Sequence, residues 1–372
     1  MLIQPKKRRK GIPPILHGPV FSAVRAVAGL TQIAGIENSA RVIRGLGAAY
    51  ALSPINAKRL IKAKESLAWC FPQFDADRVH ETAVESFRHL FSLAAELTWT
   101  PRCITEDAYP FHIEMGELST GLSAMLADGP AVLVAGHCGN WELLGALMAR
   151  LGFPIHAIYR PLDMKPLDDW MYATRSAMGL TLVSKFGASQ EFDDLMHRGV
   201  PLAFIADQNA GDRGLFVPFF GRLASSYKAV ALLAMRHNAP VVCGHAMRVR
   251  GDQPGASAAA DFSREFRYHI SVPDVIRPDD WADQPDPAFY ITARYRRAIE
   301  TMVRAAPEQY LWMHRAWKSR PPHERADRAP GPFPAKLREK LEQLPWMTQA
   351  ELDRIVARSE RDATEGRQVN RP

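Results

Sequence analysis

Cysteine is scarce in this chain and unpaired by spacing. Four occur in 372 residues, Cys70, Cys103, Cys138 and Cys243, and no two form a C-x-x-C. No His/Cys cluster has zinc-finger spacing, so neither a disulfide framework nor a metal site is expected, and free thiols in a reducing compartment are. Long apolar runs are also missing. A membrane span needs roughly 20 mostly apolar residues. The longest uncharged stretches near the start, residues 11–24 and 26–36, are split by Arg25 and interrupted by Pro13, Pro14 and Pro19. There is no G-x-S-x-G elbow, and Ser225-Ser-Tyr-Lys228 matches S-x-x-K without its S-D-N and K-T-G partners. Serine hydrolase chemistry is therefore not indicated. Internal repeats are absent, which argues against a solenoid.

What is present is a globular composition: 47% hydrophobic and 23% charged residues. The length suits one large α/β domain with helical additions, or two domains. The net charge of +7 favours an anionic partner such as a phospholipid surface or a phosphorylated substrate. Nucleic acid would suit the charge, but the aromatics do not interleave with a basic stripe and no binding motif is found, so none is expected. Lys6 to Lys10 form a basic run ahead of the weakly apolar start. Two readings stand: an interfacial anchor drawn to anionic headgroups, or a solvated tail on an ordinary helix.

Residues 12–100 read as helical. From about residue 130, short apolar runs (131–135, 154–159, 180–184, 202–206, 241–247 and 268–272) alternate with helix-like segments (141–150, 166–178, 190–197 and 227–236). This implies βαβ units and a mostly parallel central sheet flanked by helices. Residues 251–263 read as a loop, and 288–304 as a further helix. Three regions follow: a basic, membrane-associating helical start over 1–56, a catalytic α/β domain over 57–321, and a Pro-rich linker with a charged helical tail over 322–372. In that tail Thr348 and Glu351 suggest a capping box for a helix ending near Ser359.

The chemistry concentrates in Gly136-His137-Cys-Gly-Asn-Trp-Glu142. His137 falls just past the carboxyl end of a buried strand, where open α/β sheets place their ligands. Asn140 is a good N-cap, which puts Glu142 in the first helical turn. Five residues apart on one continuous helix, two side chains diverge by about 140°. With His137 on the turn and Glu142 on the helix they can meet. Glu142 is then expected to accept a hydrogen bond from one ring nitrogen and fix the tautomer, leaving the other as general base, with the substrate's own hydroxyl in place of a serine. Cys138 points away from such a pair and reads as a packing thiol.

Arg160 and Asp207 end later strands and should open on the same sheet edge as His137. Arg160 suits a phosphate or an oxyanion. Asp207 either holds Arg160, orders its loop, or simply initiates a turn. Leu215 to Gly221 reads as an apolar loop, either an acyl-chain wall or core. Within Trp312 to Arg320, Arg315, Lys318 and Arg320 beside two tryptophans suggest a phosphate-holding segment at a headgroup boundary. The alternative is that the tryptophans pack the core and the cations are solvated.

Five ordered pieces resemble the lipid A biosynthesis lauroyl/myristoyl acyltransferases, within the lysophospholipid-type acyltransferases. They are Gly136–Glu142, Tyr159-Arg160-Pro161, Ala206-Asp207-Gln208-Asn209, Phe216–Gly221 and Ala306–Pro321, with weaker similarity reaching back to Ala57. The resemblance implies transfer of an acyl chain from an acyl carrier protein or coenzyme A thioester to a hydroxyl of a membrane lipid, with no other cofactor. The implied location is the cytoplasmic face of the inner membrane. It carries the base role to His137 and the orienting role to Glu142, and supports substrate-binding roles for Arg160, Asp207 and Gln208. Asn209 stands where many members have a second Asp, and residues 322–372 have no counterpart. Relatives with the same core acylate other glycolipids, including phosphatidylinositol mannosides, and a non-catalytic membrane protein on this fold is the remaining alternative.

Overall fold

The computed structural model describes residues 13–127, 129–185, 189–249, 266–325 and 331–369; the basic run at 6–10 and the expected loop at 251–263 lie outside them. Four helices come first: α1 (His17–Ile33), α2 (Ile36–Leu52), α3 (Ala57–Cys70) and α4 (Ala76–Cys103). Asp75 starts α4 by accepting the Arg78 amide at 2.8 Å. The long helix that follows buries Val79, Ala83, Phe87, Leu93 and Leu97 at helical spacing. A short α5 (Tyr109–His112) leads to the edge strand β1 (Ile113–Met115) and α6 (Ser119–Leu126).

The βαβ region then follows: β2 (Val132–Ala135), α7 (Trp141–Arg150), β3 (His156–Tyr159), α8 (Lys165–Ala177), β4 (Thr181–Ser184), α9 (Ser189–His197) and β5 (Leu202–Ile205). A hairpin of β6 (Leu215–Phe219) and β7 (Arg222–Ser226) intervenes before α10 (Ala229–Arg236), β8 (Val241–Arg248) and β9 (Tyr268–Ile276). The chain closes with α11 (Pro278–Trp281), α12 (Pro287–Ala305), α13 (Ala335–Glu342) and α14 (Gln349–Val369).

Seven strands form one sheet in the order β1-β9-β8-β2-β5-β3-β4. Every pairing in it is parallel except β8 with β9, so the mostly parallel sheet expected from the alternating pattern is what forms. The order is not sequential: β2 lies between β5 and β8, with β3 and β4 outside. In register, Ala135 of β2 faces Ile205 of β5. One face of the sheet packs on α10 and α12 through Val134, Leu202, Val230, Ala231 and Ile299. The other carries α6 and α7.

Two expectations change. Leu215–Phe219 is a strand, with Val217, Phe219 and Phe220 buried in the main core, so this stretch is core and not an acyl-chain wall. The final helix runs past Ser359 to Val369, although its capping box forms, Thr348 and Glu351 exchanging 3.2 Å hydrogen bonds. The helical tail packs on the domain: Leu341, Leu344, Leu352 and Ile355 join the same core. No described helix is long and apolar enough to cross a membrane. Arg25, which splits the apolar start, lies over the Trp170 ring of α8 at 5.1 Å.

Candidate active site

The turn after β2 is built so that only glycine fits on either side of His137. A Cβ on Gly136 would come within 2.8 Å of Ile299, and one on Gly139, at φ +63°, within 2.0 Å of the Ala246 carbonyl. Asn140 then caps α7, its side chain accepting the Leu143 amide at 2.9 Å. Its amide nitrogen donates to buried Glu96 at 2.8 Å, and Glu96 also holds Arg248 and the Tyr268 hydroxyl. From behind, the segment after α12 pairs with the turn: Leu311 donates to the His137 carbonyl and Gly139 to that of Gln309. A strand end, a helix start and the 306–321 segment therefore fix one imidazole.

The carboxylate on that imidazole is Asp207. His137 Nδ1 lies 2.6 Å from Asp207 Oδ1. Sheet register explains the pairing, because Ala135 and Ile205 are partners and each side chain lies two residues beyond its partner on parallel neighbouring strands. Asp207 is fully buried. Burial alone would raise its pKa, but the charge and hydrogen bond of His137 override that and hold the carboxyl well below its usual range. Arg296, also fully buried, adds positive charge and donates to the Ala206 carbonyl at 3.3 Å. Asp207 thus neither holds Arg160 nor merely starts a turn.

The expected contact between His137 and Glu142 is not the one formed. Glu142 starts α7 pointing at α8, where Arg175 meets it with two prongs, Nε at 2.9 Å and Nη2 at 2.5 Å. A planar guanidinium matches a carboxylate better than an imidazole edge does.

An ionised Asp207 only accepts, so Nδ1 carries a proton, and it is the neutral form of the ring that offers the Nε2 lone pair as a base. The Gln208 amide nitrogen lies 3.4 Å from Nε2. Trp141 stands edge-on to the ring at 4.8 Å and His314 lies against it at 4.5 Å. Burial, then the charge of His137, lowers the His314 pKa to about 4, so this neighbour stays neutral. Cys138 turns into the core beside Met302, and burial, reinforced by Asp207, pushes its thiol pKa far up. It is not a nucleophile.

His137 and Gln208 border a cavity of about 1150 Å³ on the sheet face that carries α6 and α7. That exceeds the roughly 300–1,000 Å³ of common small-molecule pockets. Its walls are apolar: Leu93 and Leu97 of α4, Leu122 and Met125 of α6, Leu144 and Met148 of α7, and Leu133, Ala157 and Ala203 from the sheet. Polar groups gather where the parallel strands end: His137 after β2, Arg160 after β3, Lys185 after β4 and Gln208 after β5. Burial lowers the Lys185 pKa, and so does the charge of Arg160, which places two cations side by side.

The 312–320 segment divides. Trp312 is buried against Phe71, Phe220 and Tyr310, and Trp317 stacks on Phe219, so both pack the core and neither sits at a headgroup boundary. Arg320 donates to Glu324 and Asp362 and to the Leu223 carbonyl. It ties α14 down and is not placed to hold a phosphate. Arg315 and Lys318 are exposed. Asn209 exchanges hydrogen bonds with Ser319 at 3.0 and 3.3 Å, joining the end of β5 to this segment.

A family profile described as bacterial lipid A biosynthesis acyltransferase matches residues 20–319. The lipid A biosynthesis palmitoleoyltransferase of Escherichia coli is 25% identical over 270 residues, covering 72% of this chain and 81% of its own. The lipid A biosynthesis lauroyltransferase of the same organism is 22% identical over 262 residues, 69% of this chain and 78% of its own. A lipid A biosynthesis acyltransferase of Haemophilus influenzae is 21% identical over 269 residues, 71% and 77%. A solved 1-acyl-sn-glycerophosphate acyltransferase from Thermotoga maritima aligns over 66% of this chain and 95% of its own at 12% identity, with a TM-score of 0.31, too slight a likeness to argue from.

Proposed function

This chain belongs to the bacterial lipid A biosynthesis acyltransferases, and on that premise we propose that it moves a fatty acyl chain from an acyl carrier protein or coenzyme A thioester to a hydroxyl of a lipid A precursor, with His137 as general base. One observation carries the mechanism. A histidine whose Nδ1 is held by a fully buried carboxylate stands at the wall of a large apolar cavity. The cavity takes the acyl chain. His137 Nε2 takes the acceptor's proton as its oxygen attacks the thioester carbonyl. The new C–O bond forms, the C–S bond breaks, and the proton passes from His137 to the departing thiolate. Asp207 orients the ring and balances the imidazolium. Glu142 holds Arg175 in the cavity wall and so acts on substrate placement, not on the imidazole. Arg160 and Lys185 receive a phosphate of the acceptor or of the donor's phosphopantetheine arm, Gln208 lines the same cavity, and exposed Arg315 and Lys318 are further candidates for contact with anionic substrate groups. No cofactor beyond the thioester is required.

The membrane side of the proposal rests on α1 and α2. Leu16, just before α1, and Val27, Leu30 and Ile33 of α1 are exposed, as are Val42 and Leu46 of α2. Contiguous exposed apolar side chains of this kind mark a contact surface. We therefore place the enzyme on the cytoplasmic face of the inner membrane, with α1 and α2 against an anionic lipid surface. The test is mass spectrometry of membrane lipids from cells with and without the gene, alongside purified enzyme given acyl thioester and an underacylated lipid A precursor. Loss of one acyl chain from lipid A, restored by the wild type and not by His137→Ala, is expected. An unchanged lipid A profile, with another lipid class losing the chain, would overturn the acceptor assignment.

A further inference from the structure

On the sheet edge opposite His137, three side chains converge that the acyl-transfer site does not use. Asp193 and His197 lie one turn apart on α9, and His237 caps the end of α10. One donor atom from each lies within 4.8 Å of the others. The two imidazoles stand nearly perpendicular, 84° between planes and 4.6 Å between centroids, edge to face and not stacked.

The hydrogen bonds prepare these groups to ligate. His197 Nδ1 lies 2.8 Å from the backbone carbonyl of Asp193. A carbonyl only accepts, so Nδ1 donates, and the Nε2 lone pair is left for a metal. Metal-binding histidines are commonly oriented by this outer bond. His237 Nε2 lies 2.7 Å from Asp193 Oδ1. A metal entering there takes the place of the shared proton, which leaves to solvent as the ring nitrogen and the carboxylate oxygen each bond to the ion.

The electrostatics favour a cation. Asp193 is largely buried, and two helix C-termini, each with partial negative charge, meet beside it. A cation is already drawn to the spot: Arg236 Nη1 sits 3.1 Å from Asp193 Oδ2, while 67% of its side chain remains exposed. That arm can swing out and expose the second carboxylate oxygen.

We infer that Asp193, His197 and His237 form a binding site for a divalent transition-metal ion of the zinc class, which staples the end of α9 to the end of α10. Two imidazoles and a carboxylate make a borderline-soft donor set suited to zinc, with a water completing a tetrahedron. Ligand atoms around zinc lie about 3.3 Å apart, from metal–ligand distances of about 2.0 Å, so side-chain rotation closes the site. Its role is structural. α9 leads into β5 and α10 into β8, the strands flanking β2, so the staple fixes the sheet on the edge away from the reaction.

The test uses the full chain, stripped with chelator and titrated with Zn²⁺ by calorimetry, with Co²⁺ as the spectroscopic probe. One saturable site with tetrahedral cobalt absorption is expected, with a melting temperature raised by about 3 °C at a hundredfold excess over Kd. His197 is exposed, so His197→Ala keeps the metal-free melting temperature and loses both binding and the rise. Arg236→Ala removes the competing cation and tightens zinc binding about two- to fivefold. No saturable zinc site in the wild type, or the same site intact in His197→Ala, overturns the inference.

Discussion

Asp207→Asn separates the roles of the two carboxylates that lie near His137. At present a full negative charge sits 2.6 Å from Nδ1, with the Asp207 side chain fully buried and His137 14% exposed. The imidazolium formed during proton transfer is stabilised by that charge. With charge centres about 4 Å apart and an effective dielectric of about 20, the stabilisation is about 4 kcal/mol. An amide of the same shape removes it, and can also present its NH₂ to Nδ1 and force the wrong tautomer. The expected loss in kcat is therefore about 10³-fold, within the range of general-base catalysis. Glu142→Gln removes only the partner of Arg175 in the cavity wall. It should raise KM and lower kcat about tenfold at most, as loosened substrate placement does. The assay is steady-state acyl transfer by each purified variant, with circular dichroism to exclude misfolding. The reasoning is refuted if Glu142→Gln matches His137→Ala in kcat while Asp207→Asn stays within tenfold of wild type.

Four more outcomes are expected. Arg320→Ala leaves buried Glu324 without its guanidinium, while Asp362 keeps Arg222 and Arg358, so unfolding by denaturant should show a loss of about 3 kcal/mol with KM unchanged. In Arg160→Ala, by contrast, KM should rise while the melting temperature holds. His245, His314 and His323 are each lowered to about 4, in every case first by burial. The unfolded state therefore binds more protons between about pH 4 and 6.5, and stability should fall by about 1 kcal/mol per histidine from pH 7 to 5.5; melting curves of His314→Gln against wild type should show a weaker pH dependence. Aspartates at Val27 and Leu30, both exposed on α1, should sharply reduce flotation with anionic vesicles and leave activity on detergent-solubilised acceptor unchanged.

Most of the sheet is legible in the sequence because its strands are short apolar runs bounded by turn residues. The six runs from 131 to 272 all become strands, and Trp141–Arg150 forms as read. Where reading fails, the reason is local. Ile113–Met115 is too short for any period to register, and it becomes a strand only because β9 offers its free edge. Leu215–Phe219 carries Pro218, which argues against a strand. It is tolerated here because the hairpin of β6 and β7 forms a separate two-stranded sheet.

The site was legible in composition and not in wiring. His137 can be found from strand, glycine and cap signals alone, because each acts over a few residues. Its carboxylate cannot. Proximity in sequence favours Glu142, five residues away, over Asp207, seventy away. The choice is made by strand order, in which β5 and not β3 lies beside β2, and by a register that brings Ala135 level with Ile205. No periodicity encodes either. The same holds for His314, which reaches His137 only because residues 309–311 pair with the turn that carries His137, and for Lys185, which meets Arg160 because β3 and β4 end together. The tryptophans at 312 and 317 show the converse error: an aromatic beside a cation looks the same in sequence whether it faces lipid or core. Here Phe71 and Phe220 flank Trp312 and Phe219 stacks on Trp317, and the cation that matters to the fold, Arg320, answers to a helix residue 42 positions downstream.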